Sequence, residues 1–450
     1  VDGLATDWTD EHTTASEATY SQVTSGVVEG EYAQNFVYSG VAADNNVKTE
    51  IYQGPITVAP GQVLTFSIYL SGSITNVYGI IGIESFLSGG TYISEADTAF
   101  TVLTSTPTQY IVTYTCPPGA NYVAAYLQMP GIVASSYMSV TMSAASMVVT
   151  PPVARVYGTD AIATSIAVSQ ADFPKADSAD AVVLARSDFF SDALAGGPLA
   201  AKVNGPLLIS PGASSSSSLD PTVLSEIQRV LPAGKTVYVL GGDLALSADI
   251  DATLEGLGYS VVREAGADEY ATAVDVAEQM GNPTTIFEAT GLNFYDSISA
   301  VPAAVESQGA ILLTDGTTQA PETAAYLSAH SDDVRYAIGG PLAAAGADPS
   351  ATAVYGQDLY GTSAAVANRF FTHPTTFGAA TSATFSDALS GGPGLGLADA
   401  PLLLVPPSGP LPSSIEQYLS SVASGLTSGT VYGGPLAVGS DVFAELEAVV

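Results

Sequence analysis

Between residue 155 and the C-terminus one pattern is written three times, and self-similarity on that scale restricts the region to three copies of one structural unit. The copies open with Arg155-Val156-Tyr157-Gly158-Thr159-Asp160, Arg263-Glu264-Ala265-Gly266-Ala267-Asp268 and Val354-Tyr355-Gly356-Gln357-Asp358. Each opening leads into a helix-like stretch marked by Thr164, Thr272 or Thr362. The pattern continues through Phe190-Ser191-Asp192-Ala193-Leu194, Phe294-Tyr295-Asp296-Ser297-Ile298 and Phe385-Ser386-Asp387-Ala388-Leu389. It closes on a strand-like run and a diglycine: Gly241-Gly242, Gly339-Gly340 and Gly433-Gly434. At a spacing of about 90 to 110 residues, each copy is large enough for a small domain.

Within a copy, apolar runs without alternation are separated by stretches of helical period. Ala181-Val182-Val183-Leu184 precedes a helix-like Ser191 to Val203, and Pro206-Leu207-Leu208-Ile209 precedes another at Pro221 to Leu231. Runs of that kind read as buried strands of a parallel sheet with crossover helices. Before the Pro151-Pro152 pair the period is different. Val63 to Tyr69, Gln109 to Tyr114 and Tyr122 to Leu127 are β-branched and aromatic, and turn signals such as Ala59-Pro60-Gly61 and Pro117-Pro118-Gly119 lie between them. The reading is multidomain: an all-β sandwich over residues 1–150, then α/β repeats over 151–258, 259–350 and 351–450.

Charge narrows the partners. Ten Lys and Arg stand against 44 Asp and Glu, a formal charge of −34, while charged residues make up only 12% of the chain. A sparse negative field repels nucleic acid and anionic membranes. No apolar run reaches the roughly 18 residues that span a bilayer. A start at Val1 rather than Met fits a removed export signal and equally a chain trimmed from a longer one. Cys116 is the single cysteine, so no intrachain disulfide forms, and its place in a strand-rich stretch before Pro117-Pro118 predicts a packed, inert thiol.

The ordered set of Gly-x-Asp, Asp-Ala-Leu at a helix start, a Pro-Leu-Leu strand and strand-Gly-Gly resembles the cell-wall-binding repeat type 2 family. The resemblance covers about two-thirds of the chain. It implies three parallel-sheet units in a pseudo-threefold arrangement, a cell-surface location, no catalysis by the module, and a wall polysaccharide or other envelope glycan as partner. Where that family commonly carries Arg after Gly-x-Asp, this chain has Ala161, Glu269 and Leu359. Binding a polyanion then requires the remaining cations, among them Arg155, Arg186, Lys202, Arg263, Arg335 and Arg369, or a bridging divalent cation. The N-terminal region is similar, more loosely, to jelly-roll carbohydrate-binding modules through Pro60-Gly61-Gln62, Leu64, Phe66, Pro107-Thr108-Gln109-Tyr110 and Pro118-Gly119-Ala120.

Candidate contact residues follow. Asp192, Asp296 and Asp387 sit where a loop enters a helix. Each is read either as an N-terminal helix stabiliser or as the lining of a groove shared by the units. One acid per unit, without a second at a matched position, does not make a paired-carboxylate hydrolase. The diglycines read as sharp strand-to-helix turns, in preference to a place where a ligand approaches the backbone or N–H groups point at phosphate, since no Lys or Ser/Thr follows in a phosphate-loop arrangement. Gly392-Pro393-Gly394 falls inside a helical stretch and not straight after a strand, which removes a dinucleotide-loop reading. His12, His330 and His373 lie outside the repeated motifs. Arg155, Arg186 and Arg263 are candidate polymer contacts, and Trp8, Tyr92 and Tyr126 are candidate sugar-stacking surfaces in the β region. No cofactor is required, and a structural divalent cation is compatible with the acid content. The functional expectation is a secreted, non-catalytic surface protein attached to the envelope through its repeats, with a glycan-contacting or display β domain. The alternative is an assembly protein of a virion, filament or surface array.

Overall fold

The computed structural model describes residues 8–12, 16–23, 33–40, 49–58, 62–75, 78–129, 137–150 and 153–450, with backbone alone for those up to residue 55 and for residues 75, 129, 137, 138, 144, 146 and 148–150. The chain divides into two units, Val1–Pro152 and Val153–Val450.

Among the described residues of the first unit, ten strands form two antiparallel sheets. One has the order β1 (Trp8–His12), β4 (Thr49–Thr57), β9 (Tyr122–Met129), β6 (Gly79–Phe86), β7 (Tyr92–Phe100). The other has the order β2 (Ser16–Val23), β3 (Ala33–Gly40), β10 (Tyr137–Thr150), β5 (Val63–Thr75), β8 (Thr108–Thr115). Strand alternation builds the core. Leu64, Phe66, Ile68 and Leu70 of β5 point inward and meet Ile81 and Ile83 of β6 and Val123, Ala125 and Leu127 of β9. Cys116 is buried in this core, and burial pushes its thiol up to about 11.

The second unit repeats β-α-β-α-β-α-β-α three times. The first copy is β11 (Val153–Val156), α1 (Ala161–Asp172), β12 (Ala181–Arg186), α2 (Ser191–Lys202), β13 (Leu207–Ser210), α3 (Pro221–Val230), β14 (Thr236–Leu240), α4 (Ala248–Gly256). The second is β15 (Ser260–Glu264), α5 (Glu269–Gln279), β16 (Thr285–Thr290), α6 (Ala300–Glu306), β17 (Ala310–Thr314), α7 (Pro321–Ala329), β18 (Val334–Ile338), α8 (Ala344–Ala347). The third is β19 (Thr352–Val354), α9 (Leu359–Phe370), β20 (Gly378–Thr381), α10 (Ser386–Leu397), β21 (Leu402–Val405), α11 (Ser413–Val422), β22 (Gly429–Tyr432), α12 (Ser440–Glu447).

Each copy gives its opening strand away. The sheets run β13-β12-β14-β15, β17-β16-β18-β19 and β21-β20-β22-β11, all parallel. Thus β15 completes the sheet of repeat 1 and β19 that of repeat 2. The ring closes where β11 lies on β22, from Val153 opposite Gly429 to Val156 opposite Tyr432. Without β11, one side of β22 would be an unpaired edge. Sequence repeat and structural sheet are therefore offset by one strand.

Helices α2, α6 and α10 pack on one another at the centre of the ring. The Gly-Gly-Pro runs of α2 and α10 permit this. A Cβ on Gly197 would lie 2.4 Å from Val301 Cγ1, and one on Gly392 would lie 2.6 Å from it. At one end of these helices Phe190, Phe294 and Phe385 form a triangle with ring centroids 6.1, 6.0 and 5.6 Å apart. Outer apolar layers under α3 and α11 complete repeats 1 and 3. In repeat 2 the buried Glu288 of β16 instead joins Gln319 and Asp348, and Asp348 pairs with Arg335 at 2.8 Å. Among the described residues no helix is long and apolar enough to cross a membrane.

Candidate functional site

Ligand crevices of parallel α/β sheets open at the carboxyl ends of the strands. Here those ends carry the repeated motifs, and the strand exchange brings each diglycine against the opening of the next repeat. Gly241 N–H donates to the Glu264 carbonyl at 2.8 Å, Gly339 N–H to Val354 at 3.1 Å and Gly433 N–H to Val156 at 3.0 Å. On the other side of each joint, Thr164, Thr272 and Thr362 accept the N–H of Gly158, Gly266 and Gly356 at 3.1, 3.1 and 3.2 Å. The threonines that mark the sequence pattern are thus the internal brace of each opening loop.

The acids of the repeated motifs divide into two roles. The Asp of Gly-x-Asp is the helix cap. Asp160 accepts from Ala163 N–H, Asp268 from Tyr270 and Ala271, and Asp358 from Gly361. Asp192, Asp296 and Asp387 make no such cap bond. They pack against the first glycine of the diglycine, whose φ is +86°, +108° and +107° in Gly241, Gly339 and Gly433. A Cβ there would meet the carboxylate oxygen at 2.7, 3.2 and 2.6 Å, so backbone twist and acid both demand glycine. Burial pushes the Asp192 carboxyl up to about 6, against the pull of Arg186. Asp387 is also raised by burial, opposed by a hydrogen bond from Thr164 across the joint.

The candidate arginines separate as well. Arg155 Nη1 donates to the Gly433 carbonyl at 2.9 Å, and its guanidinium lies 4.5 Å from the Phe443 ring centroid. Arg263 makes the equivalent bond to Gly241 at 2.7 Å and pairs with Asp251 at 2.6 Å. Both therefore help to hold joints, each bonding the carbonyl of a diglycine. Arg186 does face a cleft, though held in a fork by Asp188 at 2.6 and 2.8 Å.

Three leucines that sequence reasoning missed stand on the rim, each two residues past its diglycine. Leu244, Leu342 and Leu436 are 89, 92 and 98% exposed. Gly-Gly-x-Leu-Ala is visible in all three copies, but its exposure is not. The joints then differ. Tyr355 lies on Gly340 and Tyr157 on Gly434, whereas Ala265 leaves Gly242 uncovered in the first joint. A cleft of about 450 Å³ opens at that joint.

In the β unit, Tyr92 is 50% exposed and meets Phe86 edge-on at 6.3 Å; Phe86 stacks on Tyr122 at 5.1 Å. The register Tyr92–Phe86–Tyr122 makes this an aromatic row across β7, β6 and β9. Phe86 and Tyr122 were not singled out from sequence; their shared register depends on strand pairing. Tyr126 is only 3% exposed, lying over Gly82 with its hydroxyl on Glu95, so it is not an open stacking surface. The Trp8 side chain and His12 lie outside the described side chains. His330 stacks on Tyr326, and the exposed His373 contacts Thr372. Among the described residues no three His, Cys, Asp or Glu side chains are grouped so as to hold a metal ion.

A closed ring of α/β units that share sheets and repeat one acid-on-glycine motif at each joint defines a repeat-built α/β protein. The sequence profile of cell wall binding domain 2 (CWB2) matches residues 155–251, 263–345 and 353–443. The chain belongs to that family. The N-acetylmuramoyl-L-alanine amidase LytC of Bacillus subtilis (strain 168) is 26% identical over 243 residues, 53% of this chain and 47% of that protein. The chain thus spans about half the length of that relative. Among solved structures, Cwp6 from Clostridium difficile superposes with a TM-score of 0.60 at 16% identity, over 96% of this chain and 68% of that one. Cwp8 from the same organism gives 0.59 at 15% identity, over 91% and 88%. Both have the same fold.

Proposed function

We propose that the ring of repeats holds this chain on a cell-wall polysaccharide, with the clefts between repeats as its contact surface. The observation that carries the reading is the recurrence of one joint, acid on glycine beside an exposed leucine, at all three places where repeats meet. Three weak contacts presented by one rigid body gain avidity that a single cleft lacks. The β-sandwich contributes a second glycan-facing surface through the Tyr92–Phe86–Tyr122 row. In this reading the chain acts by attachment and not by catalysis, and no cofactor is required; a divalent cation is a bridge to the polymer where one is used. The match to wall-binding repeats favours attachment over assembly of a virion or filament.

Purified protein incubated with isolated bacterial walls, with and without divalent cations, should sediment with the walls. Absence of retention under both conditions refutes the proposal. Hydrolysis assays on the same walls should show no release of sugar or peptide.

A further inference from the structure

The joint between repeats 1 and 2 is set apart by its openness and its charge. Four carboxylates line the cleft, those of Asp192, Asp243, Asp268 and Glu269, against the one guanidinium of Arg186, which Asp188 already holds. Ser191 also lines it; this serine is 1% exposed and its Oγ has no hydrogen-bond partner. A buried hydroxyl without a partner costs free energy unless a bound molecule supplies one. Phe189 and Leu244 add apolar surface at the mouth.

This lining repels a polyanion. The acids are also not grouped as ligands of a metal ion, since no three of them come close enough together. Charges spread along a cleft fit a ligand whose own positive charges are spaced along a chain, and the apolar mouth fits the C–H face of a sugar ring. We propose that the first cleft binds a glycan carrying unacetylated amino sugars: Asp243 and Glu269 face the ammonium groups, Ser191 pairs with a hydroxyl, and Phe189 and Leu244 cover ring faces. The inference rests on the reading of the clefts as glycan contacts and names the chemistry of one of them. A lysine-rich peptide presents similar charge without the ring faces.

Titration calorimetry of the full chain with a glucosamine hexamer, an N-acetylglucosamine hexamer and a lysine hexamer tests it. The glucosamine hexamer should bind at least tenfold more tightly than the acetylated one and more tightly than the lysine hexamer. Its affinity should fall steeply in 0.5 M salt. Asp243→Asn and Glu269→Gln, both near the surface, should each weaken it about fivefold without lowering the melting temperature. No binding, equal affinity for the acetylated sugar, a preference for the lysine hexamer, or indifference to both variants overturns the inference. Wall retention measured in parallel separates the two claims. Retention without a glucosamine preference overturns the inference alone, and lost retention overturns the attachment reading.

Discussion

Replacing the first or the second glycine of one diglycine should have very different costs. At Gly241 the backbone sits at φ +86°, where an L side chain costs roughly 1–2 kcal/mol. A Cβ there would also lie 2.7 Å from Asp192 Oδ2 and 2.6 Å from the Ala245 Cβ, and shifting neighbours in a packed joint costs about 1–3 kcal/mol. Gly241→Ala should therefore lose about 3 kcal/mol, or roughly 6 °C in the melting temperature of a unit this size. At Gly242 nothing lies within 4 Å of the added methyl and φ is not positive, so Gly242→Ala should stay within about 0.5 kcal/mol of the parent. Thermal and urea unfolding of the two variants provide the comparison. Adding Asp192→Ala to Gly241→Ala should recover the carboxylate part of the loss but not the backbone part, a coupling readable from a double-mutant cycle. Equal stability of the two single variants would refute the account of why this motif is glycine.

The buried Glu288 makes stability depend on pH. Burial pushes its carboxyl up to about 8, with Asp348 adding to the rise and Gln319 opposing it. The folded state thus holds a proton that the unfolded chain releases in the ordinary glutamate range, near pH 4.3. That stability is fully present below the ordinary range and is lost as pH rises through about 8. Glu288→Gln should flatten this decline, seen as a smaller difference in urea midpoint between pH 5 and pH 8; an unchanged difference contradicts it. Arg155→Ala removes the bond to Gly433 and the contact with Phe443, and should cost about 1–2 kcal/mol by the same unfolding assay. A chain begun at residue 158 lacks β11, leaves β22 unpaired on one side, and should aggregate or dimerise by light scattering. Cys116 should resist thiol reagents at pH 8 in the folded protein and react once urea exposes it, because burial holds the thiol near 11.

Much of the architecture is local and was therefore legible. Val182, Val183 and Leu184 read as a buried parallel strand because their apolar run has no alternation, and the structure buries all three. Leu64, Phe66, Ile68 and Leu70 read as one face of a sandwich strand because their period is two, and all four are inside. Gly392-Pro393-Gly394 read as helix, and it packs inside α10. The threefold recurrence of Gly-x-Asp, Asp-x-Leu or Asp-x-Ile, and Gly-Gly also marked every joint.

What those marks do was decided only by tertiary structure. Asp192 and Asp268 both stand near helix starts, and nothing local tells a cap from an acid pressed on a glycine of another strand end. The difference comes from which loop the strand exchange places beside it. Arg155 and Arg263 looked available on a chain poor in cations, yet each bonds a carbonyl brought to it by the preceding sheet, Gly433 at 278 residues' distance in sequence and Gly241 at 22. The offset of each repeat from its sheet, the closing of the ring by β11 and the openness of the first joint all depend on pairing between distant segments. Sequence period determined the units; the partner of each edge, a property of the closed ring, determined the sites between them.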